Sequence, residues 1–196
     1  KIEGTNFTDS LLVGHATTGT LNAAQDNTGV GIGALDAITS ADSVTAIGND
    51  AATNVTSGGF STVVGAGAYF TNSTGTNNTA VGRFSLRSST GSNNVALGKD
   101  SGEALSSGSQ NIIIGSNTGD QYPTTGSGNV LIGNNIDADA TSSARTLKIA
   151  GYDGSTTTTW ISGDSSGNVT VAGTLTTSSG AVAAQADVTA LAIALG

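Results

Sequence analysis

No cysteine occurs in the chain, so it can hold neither a disulfide framework nor a thiolate centre. Charged residues make up only 10%, well below the share of an average soluble domain. Aromatics are 4%, so the side chains that fill a thick globular core are missing. Six residues are basic against fourteen acidic, a formal net charge of −8. Phosphate contacts need clustered Lys and Arg, so nucleic acid is not an expected partner. No apolar run approaches the ~20 residues that cross a bilayer, and no membrane insertion is expected of this segment. The chain opens at Lys1 in mid-pattern, without Met or a signal peptide, and reads as a fragment or processed product.

What is present is glycine, 29 residues of it, with abundant Thr, Ser, Asn and Ala and plentiful Val and Ile. Disordered chains carry high charge and few β-branched residues. A thin, strand-rich, repetitive structure fits this composition better.

A repeat decides the reading. A marker glycine follows a short apolar strand at Gly14, Gly33, Gly48, Gly65, Gly82, Gly98, Gly115 and Gly133, with spacings of 19, 15, 17, 17, 16, 17 and 18. The clearest copies are T-G-T-N-N-T-A-V-G (74–82), T-G-S-N-N-V-A-L-G (90–98), S-G-S-Q-N-I-I-I-G (107–115) and T-G-S-G-N-V-L-I-G (125–133). A second glycine stands seven residues before the marker from Gly58 onward, whereas Asp26 and Ala41 stand there in earlier copies. Equivalent strands one repeat apart stack in parallel, which predicts a β-solenoid of about eight turns, a rod roughly 35–40 Å long.

Each column of the repeat carries an expectation. The residue before the marker is always aliphatic (Val13, Ile32, Ile47, Val64, Val81, Leu97, Ile114, Ile132), which places it inside the coil. Two residues earlier come Leu11, Val30, Thr45, Thr62, Thr79, Val95, Ile112 and Val130, on the same face by strand alternation. Asn78, Asn94, Asn111 and Asn129, four before the marker, align for a hydrogen-bonded ladder. The column between the two aliphatic ones holds Leu12, Gly31, Ala46, Val63, Ala80, Ala96, Ile113 and Leu131. It is apolar throughout and small at its centre. Strands apolar on both faces are covered on both faces, so this column is expected to face a common axis shared with other copies.

The repeat resembles two families. The N-[VTI]-[AI]-[IVL]-G core followed by a small residue three positions on is similar to the head repeats of trimeric autotransporter adhesins. The longer T-G-x-x-N-x-A-I-G form looks like repeats of bacteriophage tail fibres and related virion structural proteins, and the ~17-residue period favours that side. The resemblance covers 10–136. It implies an all-β fold, a left-handed parallel β-roll assembled as a homotrimer, with the Leu12-to-Leu131 column on the threefold axis. It also implies a structural role in a phage tail or neck fibre, as a spacer with adhesion to host-surface glycans, located in the virion. The alternative is the head of a bacterial surface adhesin, extracellular on the cell surface.

The expected organisation is a β-roll over 1–136, a β-rich connector over 137–179 and the start of a stalk over 180–196. Residues 137–144 read as a linker. Ala181, Ala184, Val188, Leu191 and Leu195 are spaced 3, 4, 3 and 4, a heptad-like pattern that two heptads do not settle against a strand.

Little chemistry is on offer. His15, the lone histidine, sits at a turn; a zinc site fails on ligand count and a Ser-His-Asp triad lacks its other parts. The G-V-G-I-G run at 29–33 lacks the Lys and helix of a phosphate loop. Asp100, Glu103 and Asp120 fall on neighbouring turns near Lys99 and Arg87, as solvated charges or as the carboxylates of a glycoside hydrolase. The first reading carries the greater weight. No enzymatic activity, metal or cofactor is expected. Tyr69, Phe70, Phe84 and Tyr122 gather after the marker on the variable edge, either packing the wide end of the coil or stacking on sugar rings.

Overall fold

The computed structural model describes residues 2–4, 7–14, 22–122, 124–173, 176–177 and 180–181. Strands and turns alone occur among the described residues. β1 (Ile2–Gly4) and β2 (Phe7–Val13) pair antiparallel, and β3 (Ala24–Gln25) adds to β2 in parallel. From β2 the chain coils, with one three-residue strand in each turn. These are β4 (Thr28–Val30), β5 (Thr45–Ile47), β6 (Thr62–Val64), β7 (Thr79–Val81), β8 (Val95–Leu97), β9 (Ile112–Ile114) and β10 (Val130–Ile132). Each is parallel to its predecessor and in register with it. β11 (Leu147–Tyr152) continues the parallel series; β12 (Thr157–Gly163) and β13 (Val169–Val171) then fold back antiparallel. β14 (Thr176–Thr177) and β15 (Gly180–Ala181) pair separately. The protein is a parallel β-solenoid of about eight turns with a repeat near 17 residues.

The register of the second turn differs from the expectation. Leu12 pairs with Gly29 and Val13 with Val30, so the marker of that turn is Gly31 rather than Gly33. The spacings become regular, 17 residues from Gly14 through Gly31, Gly48 and Gly65 to Gly82. Ile32 lies just outside the coil's corner and is exposed. The column seven before the marker becomes Ala24 and Ala41 ahead of the glycines, both fully buried.

The faces of the sheet are also inverted relative to the expectation. Leu12, Gly29, Ala46, Val63, Ala80, Ala96, Ile113 and Leu131 point into the chain's own coil and are buried. They do not face outward toward an axis. The two flanking columns, expected inside, lie on the outer face, with Leu97 36% and Ile112 41% exposed. The reason is volume. A three-residue strand offers one inward side chain at its centre, and the rest of the turn fills the space opposite. Leu35, Ile38, Leu86 and Leu105 reach in from the loops and leave room only for a small strand residue. Sizes compensate from turn to turn. A Cβ on Gly29 would meet Leu35 Cδ1 at 3.3 Å; at Gly102 and Gly119 the loops supply no side chain, and Ile113 Cδ1 lies 3.2 Å from where each Cβ would stand. Cores tolerate such exchanges when total volume is kept.

The coil is hydrogen-bonded on its loop walls as well as on its sheet. Tyr69 N donates to Ser85 O at 2.9 Å, Leu86 N to Ser101 O at 2.9 Å and Gly102 N to Thr118 O at 2.8 Å. Inside runs the asparagine ladder. Asn111 Nδ2 donates to Asn94 Oδ1 at 3.1 Å, and Asn129 Nδ2 to Asn111 Oδ1 at 2.9 Å. Each amide also ties the loop of its own turn, as when Asn94 Nδ2 donates to Gly108 O at 3.0 Å. Asn27 belongs to the same column in the corrected register, with its Oδ1 accepting from Val44 N at 3.0 Å. All five asparagines are buried, and burial of amides this deep is tolerable because their polar atoms are bonded.

The marker glycines turn the corner after each strand. Gly98 has φ +135°, a region closed to residues with a Cβ, and a Cβ there would collide with the carbonyl of Gly115 in the next turn. Gly98→Ala is therefore expected to lose roughly 3 kcal/mol or more of stability, measured as a fall in the urea midpoint.

Residues 137–144, read above as a linker, belong to a further turn that closes at Thr146. Ile136 and Ala138 are buried, Thr124 N donates to Thr141 O at 2.9 Å, and Thr146 N donates to Asn129 Oδ1 at 3.0 Å. The sheet runs on without a break into β11. Of the heptad-like positions, Ala181 lies in β15; Ala184, Val188, Leu191 and Leu195 lie outside the described residues.

Candidate functional site

The outer face of the sheet is exposed or half-exposed along the described part of the coil. One column reads Leu11, Thr28, Thr45, Thr62, Thr79, Val95, Ile112 and Val130. The other reads Val13, Val30, Ile47, Val64, Val81, Leu97, Ile114 and Ile132. The second column is aliphatic in all turns. β11 extends both, because Leu147 pairs with Val130 and Ile149 with Ile132. Parallel in-register pairing is what lines these side chains up, since it stacks each residue on its equivalent one turn away. A monomer rarely exposes so long an apolar face, and such faces mark interaction surfaces.

The sequence-predicted aromatic residues fall in different places. Tyr69 is fully buried, so it is a core residue rather than a ligand contact at the edge. Its ring takes the position held by Leu86 one turn later, and the small Ser61 in the ladder column makes room for the phenol. Tyr69 Oη donates to Gly75 O at 3.1 Å and accepts from Asn78 Nδ2. Burial drives its pKa well above the usual phenol value. Phe70 is half-buried and Tyr122 partly exposed. Phe84 is half-buried beneath two guanidinium groups, with Arg83 Cζ 3.9 Å and Arg87 Cζ 4.5 Å from its ring centroid. Cation–π contacts of this kind contribute about 0.5–1 kcal/mol each at exposed sites. The four residues thus do not converge on one surface.

Of the acidic candidates Asp100, Glu103 and Asp120, the first two are ion-paired. Arg87 Nη1 lies 3.3 Å from Glu103 Oε1, and Lys99 bonds Asp100 Oδ2. Asp120 is raised above its usual pKa, first by burial and then by the charge of Asp137, with smaller effects from Glu103 and Asp100. A carboxyl raised in this way favours the folded state more as pH falls, because the folded chain then binds the proton more tightly than the unfolded one. Among the described residues no group of three or more His, Asp or Glu is arranged to hold a metal ion. No helix among them is long and apolar enough to cross a membrane. His15 lies outside the described residues.

Two surfaces went unnoticed in the sequence. The first is the aliphatic outer face, assigned to the interior. The second is the hairpin of β11 and β12, where Trp160 is 53% exposed. A lone tryptophan in a chain with 4% aromatics was the available signal. No family model, curated protein or solved structure matches the chain.

Proposed function

We propose that the chain is a rigid spacer segment of a trimeric fibre, of the kind found in phage tail and neck fibres, in which three coils pack through their outer sheet faces. The observation that carries this reading is the aliphatic column that runs the length of the coil, beside a column of Thr and aliphatic residues, on a face that stays exposed or half-exposed in the single chain. A solenoid turn contacts only its neighbours, so a thin coil gains little from distant parts of itself. Packing against copies of the same face supplies the missing burial. Closed cyclic symmetry covers a self-complementary face without leaving a surface that polymerises. Three coils enclose such a face fully, whereas two leave part of each exposed, and both families that the repeat resembles are trimeric. The role is mechanical and carries no catalytic step. The purified chain is expected to show a mass in light scattering of three times its 19.0 kDa. A stable folded monomer would end this reading.

A further inference from the structure

Trp160 is the chain's single tryptophan. Ile161 pairs with Ile149 and Thr159 with Ala150, so Trp160 is the extra residue of a β-bulge in β12. A bulge lifts a side chain out of the regular alternation and re-aims it. Here the indole lies across Gly151, where an added Cβ would stand 2.5 Å from Cζ2 and 2.6 Å from Cη2. Glycine lets the ring approach that closely. Beside the ring is an open hollow of about 310 Å³, lined by Gly151, Tyr152, Asp153, Thr156, Thr158 and Trp160.

Asp153 is fixed at the mouth of this hollow. Its Oδ1 accepts from Thr156 N at 2.8 Å, from Ser155 N at 2.9 Å and from Ser155 Oγ at 3.1 Å. These bonds, that from Thr156 first, hold its pKa below the usual carboxylate value, so it stays ionised. Oδ2 accepts no hydrogen bond among the described residues. The Thr156 and Thr158 side chains are exposed on the same strand and turn.

The aliphatic packing face does not account for an indole here. In register with Gly151, the residues of the preceding turns are Asn134, Ser116, Lys99, Arg83, Ala66 and Asn49. That line is polar or small, a solvated corner beside the apolar columns.

We propose that this hollow binds a neutral saccharide, with a pyranose ring stacked on Trp160 and adjacent hydroxyls donating to Asp153 Oδ2. The C–H face of a pyranose is apolar and edge-positive, complementary to the negative face of the indole. A charged acceptor with one free oxygen suits hydroxyl donors and repels acidic sugars. An apolar wall with a few fixed polar groups is the usual make-up of a small-molecule site. The hollow is formed by one chain, so it stands whether or not the coil is a fibre segment.

Because Trp160 is the only tryptophan, intrinsic fluorescence of the full chain reports on this hollow alone. Titration with a panel of neutral gluco-, galacto- and manno-configured oligosaccharides is expected to give a saturable emission change for at least one member, at millimolar affinity or tighter. Asp153→Asn should weaken that response about tenfold, since it replaces a charged acceptor by a neutral one while keeping the turn. Trp160→Ala should abolish saturation transfer to the sugar in NMR. The Leu97→Lys variant, altered only on the packing face, should keep the sugar response even if its mass changes, which separates the two readings. An emission unchanged by every sugar, with no saturation transfer, would overturn the site. So would an indole already shielded from acrylamide in the purified protein, because another copy would then occupy the hollow.

Discussion

Ala96→Lys is expected to abolish folding, whereas Leu97→Lys, one residue further along the same strand, is expected to fold and lose its partner chains. Ala96 is fully buried in the coil, stacked between Ala80 and Ile113 in the parallel register. A lysine there would put an ammonium between Ala80 and Ile113, on a face whose nearest polar side chain, Asn94, is already bonded to Asn111. The interior would have to open or take up an unpaired charge, at a cost on the order of 5 kcal/mol, comparable to the whole stability of a small domain. Leu97 points the opposite way, onto the open face. A lysine at that position is solvated in the single chain, so the coil should keep its strand content by circular dichroism. In a trimer packed through that face, three such charges would meet, and each unpaired ion would cost several kcal/mol. Light scattering should then show a fall from three chains to one. Ser88→Lys, on an exposed turn, should change neither reading. If Leu97→Lys keeps its mass and Ala96→Lys loses only its mass, both the orientation of the strand and the packing face are wrong.

The second large effect belongs to the ladder. Asn111→Ala removes four hydrogen bonds: Asn111 Nδ2 to Asn94 Oδ1 and to Gly126 O, each 3.1 Å, and to Asn111 Oδ1 those from Asn129 N at 3.0 Å and Asn129 Nδ2 at 2.9 Å. The Asn129 N–H is left buried without an acceptor. Leaving such groups unpaired costs roughly 2–4 kcal/mol in sum, far more than the net value of the bonds when both partners are present. Urea unfolding should show this as a lowered midpoint, with Ser88→Ala as the unchanged control. The ladder already has two interruptions, Val44 and Ser61, and both lie where neighbours compensate: Val44 N still bonds Asn27 Oδ1, and Ser61 Oγ accepts from Asn78 N at 3.1 Å.

The solenoid, its period and the ladder were legible in the residues, because in-register stacking repeats chemistry at a fixed interval. The direction of the side chains was open to the same reasoning but was drawn the wrong way. Asn94 stands four before its marker and Ala96 two before, so alternation puts them on one face. A ladder of stacked amides needs shelter from water, and Ala96 must be sheltered with it. The aliphatic character of Val81 and Leu97 outweighed this parity argument, although apolar residues also form faces that other chains cover. The second turn misled for a local reason: in G-V-G-I-G both Gly31 and Gly33 follow an aliphatic residue, and only the even 17-residue spacing selects Gly31. Tyr69 stands four after its marker, in the buried column of Leu35 and Leu86, and Phe84 two after its own, so the register of the repeat separates a core position from an edge one that the shared aromatic character obscured. The hollow at Trp160 depends on a bulge, which a strand pattern does not announce.

Identical columns and a period held at 17 residues across four successive intervals also make the coil a ruler. Loss of 99–115 would join Gly98 to Ser116, bring Asn129 onto Asn94 and Leu131 onto Ala96, and leave every column in line. The rod would shorten by one strand spacing, about 4.8 Å. Duplication of the same stretch would lengthen it by the same step. A deletion that does not run from one column position to its equivalent in another turn would turn the core outward at the junction. Length in such a protein changes by whole turns, so its reach can be reset in evolution without a new core having to be found.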